Sequence, residues 1–201
     1  MIPRLLYSQI IPNSTIADRR TGSIDCVIDF WDITRLLDAI TLVQDALQQH
    51  EKEIITQWFY KFLMFISDDN PQIKARHDRH NSNHGAWYDV VYMSIARWIG
   101  EDALVRKQAV ALEEKIDRLV KRSGDMPHET SRYQSVYYFA YTLDAYAVAA
   151  ELAAQVGVDV WRYENKAGAS LATVVKYIVP HISDAFASWP VASTDPLDRG
   201  S

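Results

Sequence analysis

Apolar residues recur three and four positions apart along most of this chain, and that spacing predicts helices. From Trp31 onward, Leu36, Ile40, Val43 and Leu47 keep the helical period, and Asp32 stands where a cap belongs. A second helix is predicted over 52–66, with Ile55, Trp58, Phe59, Phe62, Leu63 and Ile66 on one broad face. Residues 67–70 read as a turn, and Pro71 suits the first turn of a new helix. The stretch 72–80 is strongly polar. Asn81-Ser82-Asn83-His84-Gly85 reads as a loop by composition, and a helix resumes near Ala86 and ends at Gly100. Val105, Leu112, Ile116 and Leu119 mark the inner face of a helix over 102–121. Ser123 to Pro127 is a break. A long helix rich in Tyr and Ala follows over 131–155, closed by Gly157, and a last helix spans 170–186.

No strand hairpin is evident. The first thirty residues are irregular, punctuated by Pro3, Pro12, Asn13 and Gly22. The succession of helix, short turn and helix predicts an all-α fold of antiparallel hairpins over residues 1–189. A loose polar tail is expected over 190–201.

Composition narrows the function classes. The 201 residues suit one domain, and 48% hydrophobic with 23% charged residues is ordinary globular usage. The net charge of -5 argues against a nucleic-acid binder, whose affinity rests on Lys and Arg contacts to phosphate. No run approaches the roughly 20 apolar residues of a membrane helix, so no membrane partner is expected. The start, Met1 to Tyr7, lacks the apolar stretch of a signal peptide. One cysteine, Cys26, permits no internal disulfide. The 11 Tyr and 6 Trp are chiefly core material, although ring faces also pack well on sugars.

Two strings carry candidate chemistry. In the first, residues 81–89, small residues present Asn83 and His84 just before a helix start, where backbone N–H groups are free to meet an anion. The second runs from Met126 to Arg132 and is followed by Tyr133, Tyr137 and Tyr138. Arg132 and Tyr138 are six apart, so a distorted helix start is needed to bring both to one cleft. His77, His80 and His84 would share a face of an unbroken helix, as zinc requires, but 81–83 breaks it and no acidic or thiol ligand follows at a standard spacing. No metal is expected. Lys74, Arg76 and Arg79 beside them offer a basic rim or a solvated polar segment.

Together the strings resemble those of the alginate-lyase-like polysaccharide lyases. Members of that family carry an Asn-Asn-His-Gly-Thr-Trp-Tyr-Asp-like string, then Pro-His-Glu-x-x-Arg, then a Tyr on the next helix. Here the first reads Asn-Ser-Asn-His-Gly-Ala-Trp-Tyr-Asp, the second spans Pro127 to Arg132, and Tyr138 takes the tyrosine's place. Tyr7 to Pro12, Leu36 to Ile40 and Gly157 to Trp161 also look like family positions. The resemblance implies part of an incomplete α/α toroid. It implies β-elimination on a uronic-acid polymer of alginate or glucuronan type. Asn83 and Arg132 would neutralise the uronate carboxylate, which makes the neighbouring carbon acid enough to lose its proton. His84 would take that proton or help neutralise. Tyr138 would protonate the leaving oxygen, and in syn elimination would also act as base. Trp87, Tyr88, His128, Glu129 and Tyr137 are the expected substrate-binding residues, with His128 and Glu129 also placed to orient Arg132. The scheme needs no cofactor.

Ser82 departs from the family's first Asn. Members are also longer, with helices ahead of the segment that starts here, so the resemblance implies that this segment supplies only the later hairpins of the toroid. A shortened toroid exposes apolar helix faces, which favours a homodimer. The family implies secretion or a periplasmic location. The alternative is an inactive relative serving as a uronate-binding or helical scaffold domain.

Overall fold

The computed structural model describes residues 24–189, with side chains from Val27 onward. The irregular start over 1–23, the Tyr7 to Pro12 segment and the loose tail over 190–201 lie outside the described residues. A 3-10 helix, Ile24–Phe30, opens the structure. Eight α-helices follow among the described residues: α1 Ile33–Val43, α2 Gln49–Ile66, α3 Pro71–Asp78, α4 Asn83–Trp98, α5 Asp102–Leu119, α6 Pro127–Thr130, α7 Ser135–Ala154 and α8 Leu171–Ile182. There is no strand among them. None is long and apolar enough to cross a membrane.

The fold is organised around α4. From Asn83 to Ala96 every residue but His84 is buried. A helix that is buried all round needs neighbours on every side, and α4 packs on α7, α5, α1, α2 and the opening 3-10 helix. Helices α4 and α5 form an antiparallel hairpin through Gly100, whose φ of +87° suits glycine. Helices α4 and α7 run side by side in the same direction. Trp87 meets Tyr141, with ring centroids 5.0 Å apart, and further along Ser94 and Val148 line one cavity. The first turns of α4 and α7 therefore lie at one end of the molecule.

Several boundaries differ from the sequence pattern. Helix α1 ends at Val43, and Leu47 follows a separate 3-10 turn, Gln44–Ala46. Its buried residues are Ile33 and Leu37, while Leu36 and Val43 are half exposed, so the inner stripe is rotated by one residue. Asp32 makes no cap; it pairs with Arg35 instead. Helix α2 starts earlier than 52, at Gln49, where the Gln48 N–H donates to Glu51 Oε2 at 2.8 Å. Helix α5 matches its expected inner face: Val105, Leu112, Ile116 and Leu119 are all buried. The helix expected over 131–155 begins only at Ser135, after the short α6 and a turn over 131–134. Helix α8 stops at Ile182 rather than 186.

Candidate functional site

The largest departure from the sequence pattern lies at the candidate site. Asn83, His84 and Gly85 are not in a loop but form the first turn of α4. Ser82 makes no side-chain cap. The cap comes from α6: the Asn83 N–H donates to Glu129 Oε1 at 2.8 Å. A carboxylate at a helix N-terminus satisfies an orphan donor and complements the helix dipole. Gly85 permits the close approach of this turn to the end of α3. A Cβ there would sit 2.8 Å from the His80 carbonyl oxygen and 2.9 Å from that of His77.

The second string folds into α6 and its following turn. Pro127 occupies the first helical turn, and Arg132 lies on the turn over 131–134. That break supplies the distortion needed to bring Arg132 to Tyr138. The guanidinium stacks face-on over the Tyr138 ring, 3.4 Å from its centroid. On its other side Arg132 Nη1 lies 3.7 Å from Glu129 Oε2. A chain of contacts thus runs Asn83, Glu129, Arg132, Tyr138, and joins the two strings. His84, half-buried, sits beside Asn83 on the same turn, with its ring 5.2 Å from that of His80. His80 Nδ1 is 3.0 Å from the Ser82 hydroxyl, so the serine at the departing position holds this imidazole.

Glu129 is the electrostatic centre of the arrangement. It is 1% exposed, and burial pushes its carboxyl above the usual carboxylate range. Thr142, Asn83 and Arg132 pull the other way. The Thr142 hydroxyl and the Asn83 side-chain amide are its neighbours in this buried cluster.

Burial divides the expected residues. Arg132, His84 and Tyr138 are half-buried and reachable, His128 is exposed, and Tyr137 is 57% exposed. Asn83, in contrast, is 2% exposed. The resemblance implies that its amide meets the substrate carboxylate; the structure buries it beside Glu129, which accepts from its backbone N–H. Glu129 is likewise buried, at 1% exposed. Trp87 and Tyr88 belong to the core: they are 2% and 0% exposed, and the Tyr88 hydroxyl donates to the Ile66 carbonyl at 3.0 Å. Burial pushes the Tyr88 phenol well up. His77 is buried against Tyr88, ring centroids 4.8 Å apart, and the His77, His80 and His84 rings stand in file at 6.3 and 5.2 Å. Among the described residues no three His, Cys, Asp or Glu side chains are grouped to hold a metal. Lys74 turns inward to Asp78 at 2.8 Å rather than forming a rim.

Sequence reasoning missed Lys115, Gln108 and Asp89, which form a buried polar cluster behind the first turn of α4. A signal existed. Val105, Gln108, Leu112, Lys115 and Leu119 keep alternating spacings of three and four, so two polar residues sit within the apolar stripe. A cavity of about 680 Å³ opens elsewhere, between α1, α2 and the later turns of α4 and α7. None of Asn83, His84, Arg132 or Tyr138 lines it.

The chain matches the family model of alginate lyases over residues 1–189, and it belongs to that family. Its fold is similar to the crystal structure of an alginate lyase from Bacteroides ovatus, with a TM-score of 0.79 and 24% identity. The match covers 89% of this chain and 47% of that one, so the chain spans about half the length of the protein it resembles. The described helices are accordingly part of an α/α toroid. No curated protein matches the chain.

Proposed function

We propose that this alginate lyase family member cleaves a uronic-acid polymer, of alginate or glucuronan type, by β-elimination. In that reaction a base removes the proton from the carbon that bears the carboxylate. The electron pair forms a carbon–carbon double bond, and the glycosidic oxygen leaves with a proton from an acid. The carboxylate must be neutralised as charge develops on it. Arg132 is the reachable cation for this, a planar fork suited to a carboxylate. His84 takes the proton or shares the neutralisation, and the Tyr138 hydroxyl supplies the proton to the leaving oxygen. Asn83 stands beneath them and fixes Glu129, which in turn holds Arg132. Tyr137 and His128, both exposed, meet neighbouring sugars in this scheme.

The observation that carries this reading is the junction itself. Two sequence strings from different helices meet at one end of the molecule through Asn83, Glu129, Arg132 and Tyr138. The rival reading is a domain that binds uronate chains without cutting them. It draws on the extent of the match, which takes in 47% of the B. ovatus alginate lyase.

The test is ultraviolet absorbance of unsaturated uronate ends, with purified protein and a panel of uronate polymers. A rise that disappears in Tyr138→Phe and His84→Ala supports the lyase reading. A flat trace from folded protein, with retention on a uronate column, supports the rival.

A further inference from the structure

Buried ion pairs are seldom there for stability, since apolar residues of similar volume often serve as well or better. The pair formed by Lys115 and Asp89 is 1% and 0% exposed. Lys115 Nζ donates to Asp89 Oδ1 at 2.7 Å, to Asp89 Oδ2 at 2.8 Å and to the Gly85 carbonyl at 3.0 Å. An ammonium has three protons, and each has an acceptor here. Gln108, 1% exposed, supports the pair: its Nε2 donates to Asp89 Oδ1 at 2.7 Å and to Asp78 Oδ1 at 3.2 Å. Its Oε1 accepts from Lys74 Nζ at 3.0 Å, and so the network reaches α3.

An apolar pair would fill this space, but it would not hold the Gly85 carbonyl. That carbonyl belongs to the turn that carries Asn83 and His84. Two other contacts fix the same turn. Glu129 takes the Asn83 N–H, and the carbonyls of His77 and His80 crowd the Gly85 Cα. Neither of these pulls on the carbonyl side of the turn, where Lys115 acts.

We propose that Lys115 is a positioning residue of the site, which sets the first turn of α4, and with it His84 and Asn83, through its bond to the Gly85 carbonyl. The consequence for catalysis rests on the lyase reading above. A misplacement of about 1 Å at a reacting group costs about 100-fold in rate. Asp89 is the counter-charge that lets the ammonium be buried, and Gln108 holds Asp89 in place.

The test is the double variant Lys115→Met/Asp89→Leu in the full chain. It removes both charges, leaves neither partner stranded, and breaks the bond to the Gly85 carbonyl. The expected result is a folded protein whose urea midpoint is lowered at most by the lost Gln108 bond to Asp89, and faster amide hydrogen exchange confined to residues 83–86. Residues 94–98 of the same helix should exchange as before. On a polymer that the parent cleaves, kcat should fall at least tenfold while KM stays within about twofold. A double variant with parental exchange over 83–86, or with parental kcat, overturns the proposal. Should the double variant not fold, Lys115→Gln/Asp89→Asn takes its place under the same criteria. A parent that cleaves no uronate polymer would end the lyase reading, while the exchange pattern would still decide the role of Lys115.

Discussion

Asn83 and Glu129, 46 positions apart in the chain, meet through a 2.8 Å hydrogen bond from the Asn83 N–H to Glu129 Oε1. One side chain thereby starts a helix that its own neighbours do not cap, since Ser82 makes no side-chain cap. The same carboxyl reaches Arg132 through its other oxygen, at 3.7 Å. The start of α4 and the placement of the guanidinium are therefore set by one group.

Replacement of Glu129 should show this directly. Glu129→Ala strands the Asn83 N–H in a buried place, which costs about 1–3 kcal/mol. Glu129→Gln keeps an acceptor for the N–H and should lose less. Urea midpoints of the three proteins test the point. An Ala variant as stable as the parent would mean that α4 does not depend on this cap.

The pH dependence of stability follows from the burial of Glu129. Its carboxyl is raised in the folded protein above its value in the unfolded chain, which is about 4.3. Below that value both states hold the proton, and the contribution of the group is fully present. As pH rises from there through the raised folded value, the unfolded chain releases its proton first, and stability is lost. Glu129→Gln has no such titration. The stability of the parent relative to this variant should therefore decline across that window, and paired urea titrations from about pH 4 to neutrality would read it. A relative stability that climbs with pH would show that Arg132 and the capped N–H outweigh burial.

Much of the fold was legible because it rests on local spacing. The inner face of α5 and the hairpin turn at Gly100 follow from residues close in sequence. What escaped was set at a distance. Asn81 to Gly85 has the composition of a loop, and the contacts that hold 83–85 as a helical turn come from Glu129 and Lys115, far away in sequence. The start of α7 was misplaced because a turn over 131–134 interrupts a pattern that tyrosines and alanines continue without a break. The strings themselves were visible, but not their layering. Trp87 and Tyr88 adjoin the site in sequence and are core by packing, and Asn83 is buried where Arg132 is only half-buried. Burial of that kind depends on which helix covers which, and spacing along one chain segment does not carry it.

Gly85→Ala tests how closely α4 must approach α3. The new methyl would meet two backbone carbonyl oxygens, at 2.8 and 2.9 Å, neither of which can swing aside as a side chain does. Overpacking of this sort costs about 1–3 kcal/mol. The displaced turn carries His84, so activity should fall further than stability alone explains. Melting temperature and kcat, measured together, separate the two effects. An Ala variant equal to the parent in both would show that the turn has room to shift.

Tyr138→Phe isolates the phenol from the ring. Arg132 stacks on the face of the ring, 3.4 Å from its centroid, and phenylalanine keeps that face. The guanidinium should therefore stay in place, with melting temperature and KM close to those of the parent. Loss of a positioned general acid typically costs 10²- to 10⁴-fold in rate, and kcat should fall by about that much. Tyr138→Ala also removes the stacking face, so it should add a rise in KM to the same loss of kcat. The split between the two variants matters more than either value. If the Phe variant turns over like the parent while the Ala variant does not, the ring serves only to seat Arg132. The proton would then have to come from another group, and Tyr137, with its ring centroid 5.2 Å from that of Tyr138 and 57% exposed, would be the next to replace.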